Sequence, residues 1–130
     1  MAAFPRTFPR RGEIYMVDFD QPRGSEQAGR RPALVISNNI NNRNSPVVIV
    51  AAITRTIPQK AYPFNVHLPA GALPDEGTIM CSQLMTVSKE RLFNHRGSID
   101  ETLFPSLDLA LAVALALPRP AKGGVSPDDK

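Results

Sequence analysis

Eight prolines (Pro22, Pro32, Pro46, Pro58, Pro63, Pro69, Pro74 and Pro105) divide the middle of this chain into short pieces. Proline lacks an amide hydrogen and has a fixed φ, so helix interiors and central strand positions tolerate it poorly. No helix longer than about four turns fits before Pro105, which excludes a helical bundle. Short strands joined by turns remain. At 130 residues the chain suits one domain, because two cores would each fall near the lower size limit. Hydrophobic residues make up 42%, enough to expect a packed core.

The other five prolines lie in the ends. Residues 1–11 (MAAFPRTFPRR) are expected to form a flexible basic arm and 118–130 (PRPAKGGVSPDDK) a disordered tail, leaving 12–117 as the folded unit. Within it, Glu13–Phe19 is rich in β-formers, and Ala33–Ser37 and Val47–Thr54 are apolar runs of the kind found in buried strands. Asn38–Pro46 has turn chemistry. Phe64–Leu68 alternates in period two, and Thr78–Cys81 and Gln83–Val87 are two strands or one bent strand. Ser88 offers a cap for one helical turn over Lys89–Leu92. Thr102 is expected to cap a helix running to Leu117, with Pro105 in its first turn. That helix has Leu107, Leu111 and Leu115 on one face and Leu109, Val113 and Leu117 on another, so it should bury against a sheet, a partner chain, or both. The pattern predicts a mainly β fold: a small, partly open β-barrel of five to seven short strands with a packed C-terminal α-helix.

Charge is uneven. The net charge is +3, yet residues 21–60 carry Arg23, Arg30, Arg31, Arg43, Arg55 and Lys60 against Glu26 alone, a local +5. Arg outnumbers Lys by 11 to 4, and the guanidinium fork suits bidentate phosphate contact. A polyanionic partner is expected. The single cysteine, Cys81, excludes an internal disulfide and reads as an inert buried thiol. No CxxC or Cys/His cluster points to zinc, and no metal or cofactor is expected. The longest apolar run, Leu107–Leu117, is interrupted by Asp108 and falls short of the roughly 20 residues that span a bilayer. With no apolar N-terminal segment either, the expected compartment is the cytoplasm, without membrane attachment.

One connection is long for its surroundings. Asp20–Arg31 (DQPRGSEQAGRR) separates two predicted strands, and loops of that length are usually functional or mobile. Around it the sequence resembles the MazF/PemK ribonuclease toxins of bacterial toxin–antitoxin modules. The resemblance spans roughly residues 11–117. It rests on three ordered blocks: GSEQxGxRPALVIS (Gly24 to Ser37), AAIT (Ala51 to Thr54) and SQLMTVSKERL (Ser82 to Leu92). It implies an SH3-like barrel, usually homodimeric, that cleaves single-stranded RNA, typically mRNA, at short motifs without metal, and that a cognate antitoxin silences. It also implies a catalytic pair, Arg31 and Thr54. Gln83 would help to hold RNA, and Gly24, Ser25, Glu26 and Gln27 would form a mobile loop beside the site. Asn39 departs from the family's usual Asp, and Tyr62 to Gly77 matches poorly, in the region expected to help set sequence preference.

RNA cleavage by its own 2′-OH needs a proton acceptor, in-line attack, stabilisation of the phosphorane charge and a proton for the leaving 5′-oxygen. The products are a 2′,3′-cyclic phosphate and a 5′-OH. The two histidines, His67 and His95, lie beside no catalytic-looking group in the sequence. Arg31 is then the main candidate for charge stabilisation, while its high pKa makes it a poor base. Thr54 can donate its hydroxyl to the same phosphate. Arg30 and Arg55, with Arg23 and Arg43, are candidates for backbone contacts. Gln83 and the Asn-rich turn offer amides for base edges, and Phe19, Tyr62 and Phe64 are aromatic but read first as core.

Two other functions fit a fold of this kind. One is a gyrase poison resembling the CcdB-like toxins, which act through a C-terminal tail bearing Trp, whereas this chain has no Trp and ends SPDDK. The other is a non-catalytic SH3-like module binding RNA or peptide. An antitoxin would lay an acidic segment across the basic groove, and part of the C-terminal helix or a neighbouring strand would enter a dimer interface.

Overall fold

A computed structural model describes residues 8–19 and 29–119. In chain order the elements are β1 (Glu13–Phe19), β2 (Gly29–Val35), α1 (Asn39–Asn44), β3 (Val47–Thr54), β4 (Asn65–Leu68), β5 (Gly77–Ser88), β6 (Leu92–Ser98) and α2 (Phe104–Leu115). Single 3-10 turns occupy Lys89–Arg91 and Glu101–Leu103. The six strands form one antiparallel sheet in the order β4-β5-β3-β2-β1-β6, open between β4 and β6. The expected mainly β fold with one C-terminal helix is the observed one.

Strand alternation sends apolar side chains to both faces of the sheet. Leu34, Ala51, Ile53, Ile79 and Cys81 join one cluster, which α2 closes with Leu107 and Ala110. Their neighbours Ala33, Val35, Val48 and Val50 join Val17, Phe19 and Val87 in a second cluster. Two buried faces explain why β2 and β3 are near-continuous apolar runs. Leu107 is fully buried, and truncating it to Ala would cost about 2–5 kcal/mol. The far side of α2 leaves Leu109 and Leu115 exposed. Burial pushes the Cys81 thiol up to about 11, against a smaller opposing pull from Arg11, as expected of an inert cysteine.

Several local expectations change. Pro32 lies inside β2, opposite Met16, rather than ahead of the strand. The ladder to β3 begins only where Ala33 meets Ala52, so the proline has a strand partner on one side alone. The predicted turn over Asn38–Pro46 contains helix α1. Asn38 caps it by accepting from the Asn41 amide at 2.8 Å, and fully buried Asn42 donates to the Ser37 carbonyl at 2.7 Å. Of the two alternatives for Thr78–Val87, the one bent strand is observed, as β5. Between the Ala51–Leu84 and Ala52–Met80 pairs it carries three extra residues, Cys81, Ser82 and Gln83. Asp100, not Thr102, supplies the cap before α2, and Pro105 stands in that helix's first turn.

The folded unit also begins before Gly12. Arg11 is built into the fold. Its side chain is 11% exposed, its Nη2 lies 2.7 Å from Asp108 of α2, and its Nε donates to the Ile36 carbonyl at 2.8 Å.

Candidate active site

Arg31 and Thr54 come from adjacent strands and meet at one end of the sheet. Arg31 lies on β2 opposite Val17, and Thr54 ends β3 opposite Thr78 of β5. Both line a pocket of about 500 Å³, with Met16, Pro32 and Ile53 among its apolar residues. Arg30 and Arg55 line it as well. Thr54 also lines a second pocket, of about 420 Å³, together with Gln83, Asn65, Tyr62 and Phe64. Thr54 is thus the junction of two lobes, one rich in arginine and one rich in amides and aromatic rings.

The strand end that carries Thr54 is held by its own backbone. The Thr56 amide donates to Thr54 Oγ1 at 3.2 Å, and Thr78 Oγ1 donates to the Thr56 carbonyl at 3.0 Å. With its oxygen accepting, the Thr54 hydroxyl keeps its one hydrogen to donate. Across from it β5 begins at Gly77, where a Cβ would stand 2.5 Å from the Thr54 carbonyl oxygen. Only glycine allows that approach.

Carboxylates arrive from a part of the sequence that gave no sign of them. Asp75 and Glu76, just before β5, line the arginine lobe. Asp75 lies 3.4 Å from Arg55, and Glu76 lies 3.4 Å from His67 of β4. Both pairs are well exposed, so neither adds much to stability. His67 therefore does have a carboxylate neighbour, brought by the β4–β5 pairing. His95 stacks on Tyr15 with ring centroids 4.8 Å apart and lies 3.4 Å from buried Glu13. Arg96 of β6 also lines the arginine lobe and had no mark in the sequence.

The aromatic residues divide. Phe19 is core, at 3% exposure. Tyr62 and Phe64 are not fully buried; they stack with centroids 5.2 Å apart beside Gln83. The Asn-rich segment, by contrast, turns inward. Asn39 accepts from the Arg11 amide at 2.8 Å, Asn44 donates to the Ile40 carbonyl at 2.8 Å, and Asn39 and Asn42 are buried. Those amides serve α1 rather than the groove. Gly24, Ser25, Glu26 and Gln27 lie outside the described residues. Among the described residues, no three His, Cys, Asp or Glu side chains gather to hold a metal ion. No described helix is long and apolar enough to cross a membrane.

Comparison with known proteins shows what the chain is similar to. The profile of the PemK-like, MazF-like toxins of type II toxin–antitoxin systems matches residues 10–115. The chain is 39% identical to the endoribonuclease EndoA of Bacillus subtilis (strain 168) over 110 residues, covering 83% of this chain and 95% of that protein. It is 36% identical to the endoribonuclease MazF of Staphylococcus epidermidis, covering 83% and 92%. Among solved structures, an endoribonuclease in complex with its cognate antitoxin from a mycobacterial species matches with a TM-score of 0.71 at 29% identity, over 86% of this chain and 99% of that one. A MazF from Deinococcus radiodurans gives 0.72 at 25% identity, over 85% and 98%. A β-sheet groove with Arg31 and Thr54 at its centre, a matching profile over most of the chain and relatives above 35% identity together place this protein in the PemK/MazF family of type II toxins.

Proposed function

We propose that this chain is the toxin of a type II toxin–antitoxin module and cleaves single-stranded RNA, typically mRNA, at a short sequence without a metal ion. The observation that carries the reading is the convergence of Arg31 and Thr54 on one groove, in a chain 39% identical to a named endoribonuclease. The Arg31 fork holds two non-bridging phosphate oxygens and stabilises the charge added as the 2′-OH attacks. Thr54 donates its hydroxyl to the same phosphate. Glu76, on the groove wall, accepts the 2′-OH proton, and water protonates the departing 5′-oxygen. The amide–aromatic lobe takes a neighbouring base, stacked on the Tyr62–Phe64 pair with its edge toward Gln83. Gly24, Ser25, Glu26 and Gln27, which precede β2 in the sequence, contribute substrate contacts.

The natural inhibitor is an antitoxin whose acidic segment fills the arginine lobe. A second copy of the chain covers the exposed leucines of α2, giving a homodimer in the cytoplasm.

The test is incubation of the purified protein with a long mixed-sequence RNA in EDTA, followed by mapping of 5′-ends. The expected result is discrete cuts at one motif, 2′,3′-cyclic phosphate and 5′-OH termini, and no cutting by Arg31→Ala. Intact RNA, or equal cutting by the variant, overturns the reading. Glu76→Gln should slow cleavage by about 10²-fold or more while leaving RNA binding in place; binding assays at matched salt check the second half.

A further inference from the structure

The arginine lobe carries more positive charge than one phosphate can use. Four arginines, Arg30, Arg31, Arg55 and Arg96, line it together with two acids, Asp75 and Glu76, a net of two positive charges. A single phosphodiester brings one negative charge. Asp75 is already paired with Arg55, and Arg31 is assigned to the scissile phosphate. Arg30 and Arg96 are then surplus to the reaction itself.

Both are positioned rather than merely nearby. The Arg30 guanidinium lies over the Phe93 ring, 5.5 Å from its centroid, a cation–π contact that restrains it. Arg96 is half-buried, and among the described residues its side chain has neither an ion pair nor a hydrogen bond. A half-buried arginine without a counter-charge is a costly arrangement unless a ligand supplies one.

The backbone explains how Arg96 reaches the groove. Between the Ile14–Gly97 and Met16–Phe93 pairs, β6 carries three residues opposite Tyr15. Asn94 and Gly97 have φ of +52° and +131°, so the strand bulges there. Tyr15 stacks on His95 and donates to Glu13, which holds the middle of the bulge. Arg96, next in sequence, is delivered to the lobe that Met16 floors.

From this we infer that Arg96, with Arg30 beside it, forms a second phosphate subsite, which grips the phosphate of the nucleotide adjoining the cut. The inference rests on the nuclease reading for which phosphate is cut, but not for the binding it predicts. Thr54 lines both this lobe and the Gln83 lobe. A strand that enters both is held by its backbone in one and by its base in the other.

The experiment uses the full chain and a short oligonucleotide carrying the mapped cut site, with a 2′-O-methyl group at the cut nucleotide to block the nucleophile. Binding is measured against salt for the wild type, Arg96→Ala and Arg96→Lys. It is repeated with one neutral methylphosphonate placed in turn at each flanking linkage. Arg96→Ala should bind about ten-fold more weakly at low salt and lose about 0.7 from the slope of log affinity against log salt. Arg96→Lys should keep the slope. One neutral linkage beside the cut should weaken the wild type and cost Arg96→Ala nothing further. An unchanged slope in Arg96→Ala, or equal penalties in both proteins at every linkage, overturns the inference. If the wild type cuts no RNA, so that no site can be mapped, yet binds a mixed-sequence single-stranded RNA with the Arg96-dependent salt slope, the nuclease reading falls and the subsite stands. If the wild type binds no RNA, both fall.

Discussion

Arg11 and Arg31 show what one residue type does in two settings. Arg11 is walled in by Asp108, the Ile36 carbonyl and the Phe104 ring, the last 5.4 Å from its guanidinium. Arg31 is exposed in a groove whose other arginines outnumber its acids. The first fastens the segment before β1 to α2. The second stands exposed on the groove wall. A charge walled in by its partners makes structure, whereas an exposed charge in a concave place is open to a ligand.

Substitutions can break this contrast. The largest effect belongs to Arg31→Ala, expected to cut the cleavage rate by about 10²–10³-fold while changing stability by under about 1 kcal/mol. Single-turnover kinetics beside urea denaturation checks both halves, and a stability loss as large as that of Arg11→Ala would erase the distinction. Arg11→Ala should lower stability by about 2–3 kcal/mol, less than for a fully buried pair because both groups keep some contact with water. Once corrected for the folded fraction, its cleavage rate should match the wild type.

Gly77→Ala sharpens the contrast, since it touches structure and site together. The added methyl would press on the Thr54 carbonyl, costing about 1–3 kcal/mol and slowing cleavage by moving Thr54. Thermal melts and initial rates should fall together, in contrast to both arginine variants.

The smallest effect is at Asp100. The Thr102 amide, then the Thr102 hydroxyl, hold its carboxyl below the ordinary range. A group depressed in the folded state stabilises above the unfolded pKa of about 3.9 and loses that contribution as pH falls through its folded value. Asp100→Ala should be slightly less stable than the wild type at pH 7, and the gap should close below about pH 4. A gap independent of pH would show that the cap acts without its charge.

The legible parts of the fold were those with a strong hydrophobic pattern. β1, β3 and the apolar run of α2 could be read directly because their side chains fill two buried clusters. β6 was missed because Leu92–Ser98 has little apolar content, no buried residue and a bulge at Asn94 to Gly97 that destroys any period of two. Arg96 was lost with it. α1 reads as a turn because asparagine favours turns over helix interiors, and what holds it is a network of side-chain bonds that no propensity encodes. At the site, Arg31, Thr54 and Gln83 were legible through the block resemblance. Asp75 and Glu76 were not, because only the pairing of β3 with β5 carries them to Arg31. Arg11 was misplaced because a basic residue next to a proline-rich end looks the same whether or not an aspartate 97 positions later will meet it.

The three extra residues in β5 have a consequence for how such a protein can change. Cys81 roots them in the core, while Ser82 and Gln83 stand outside, with both lining the amide–aromatic lobe. Root and tip are therefore separable. Substitution at Ser82 or Gln83 is expected to change the lobe's chemistry while the core that holds the strand in place stays as it is.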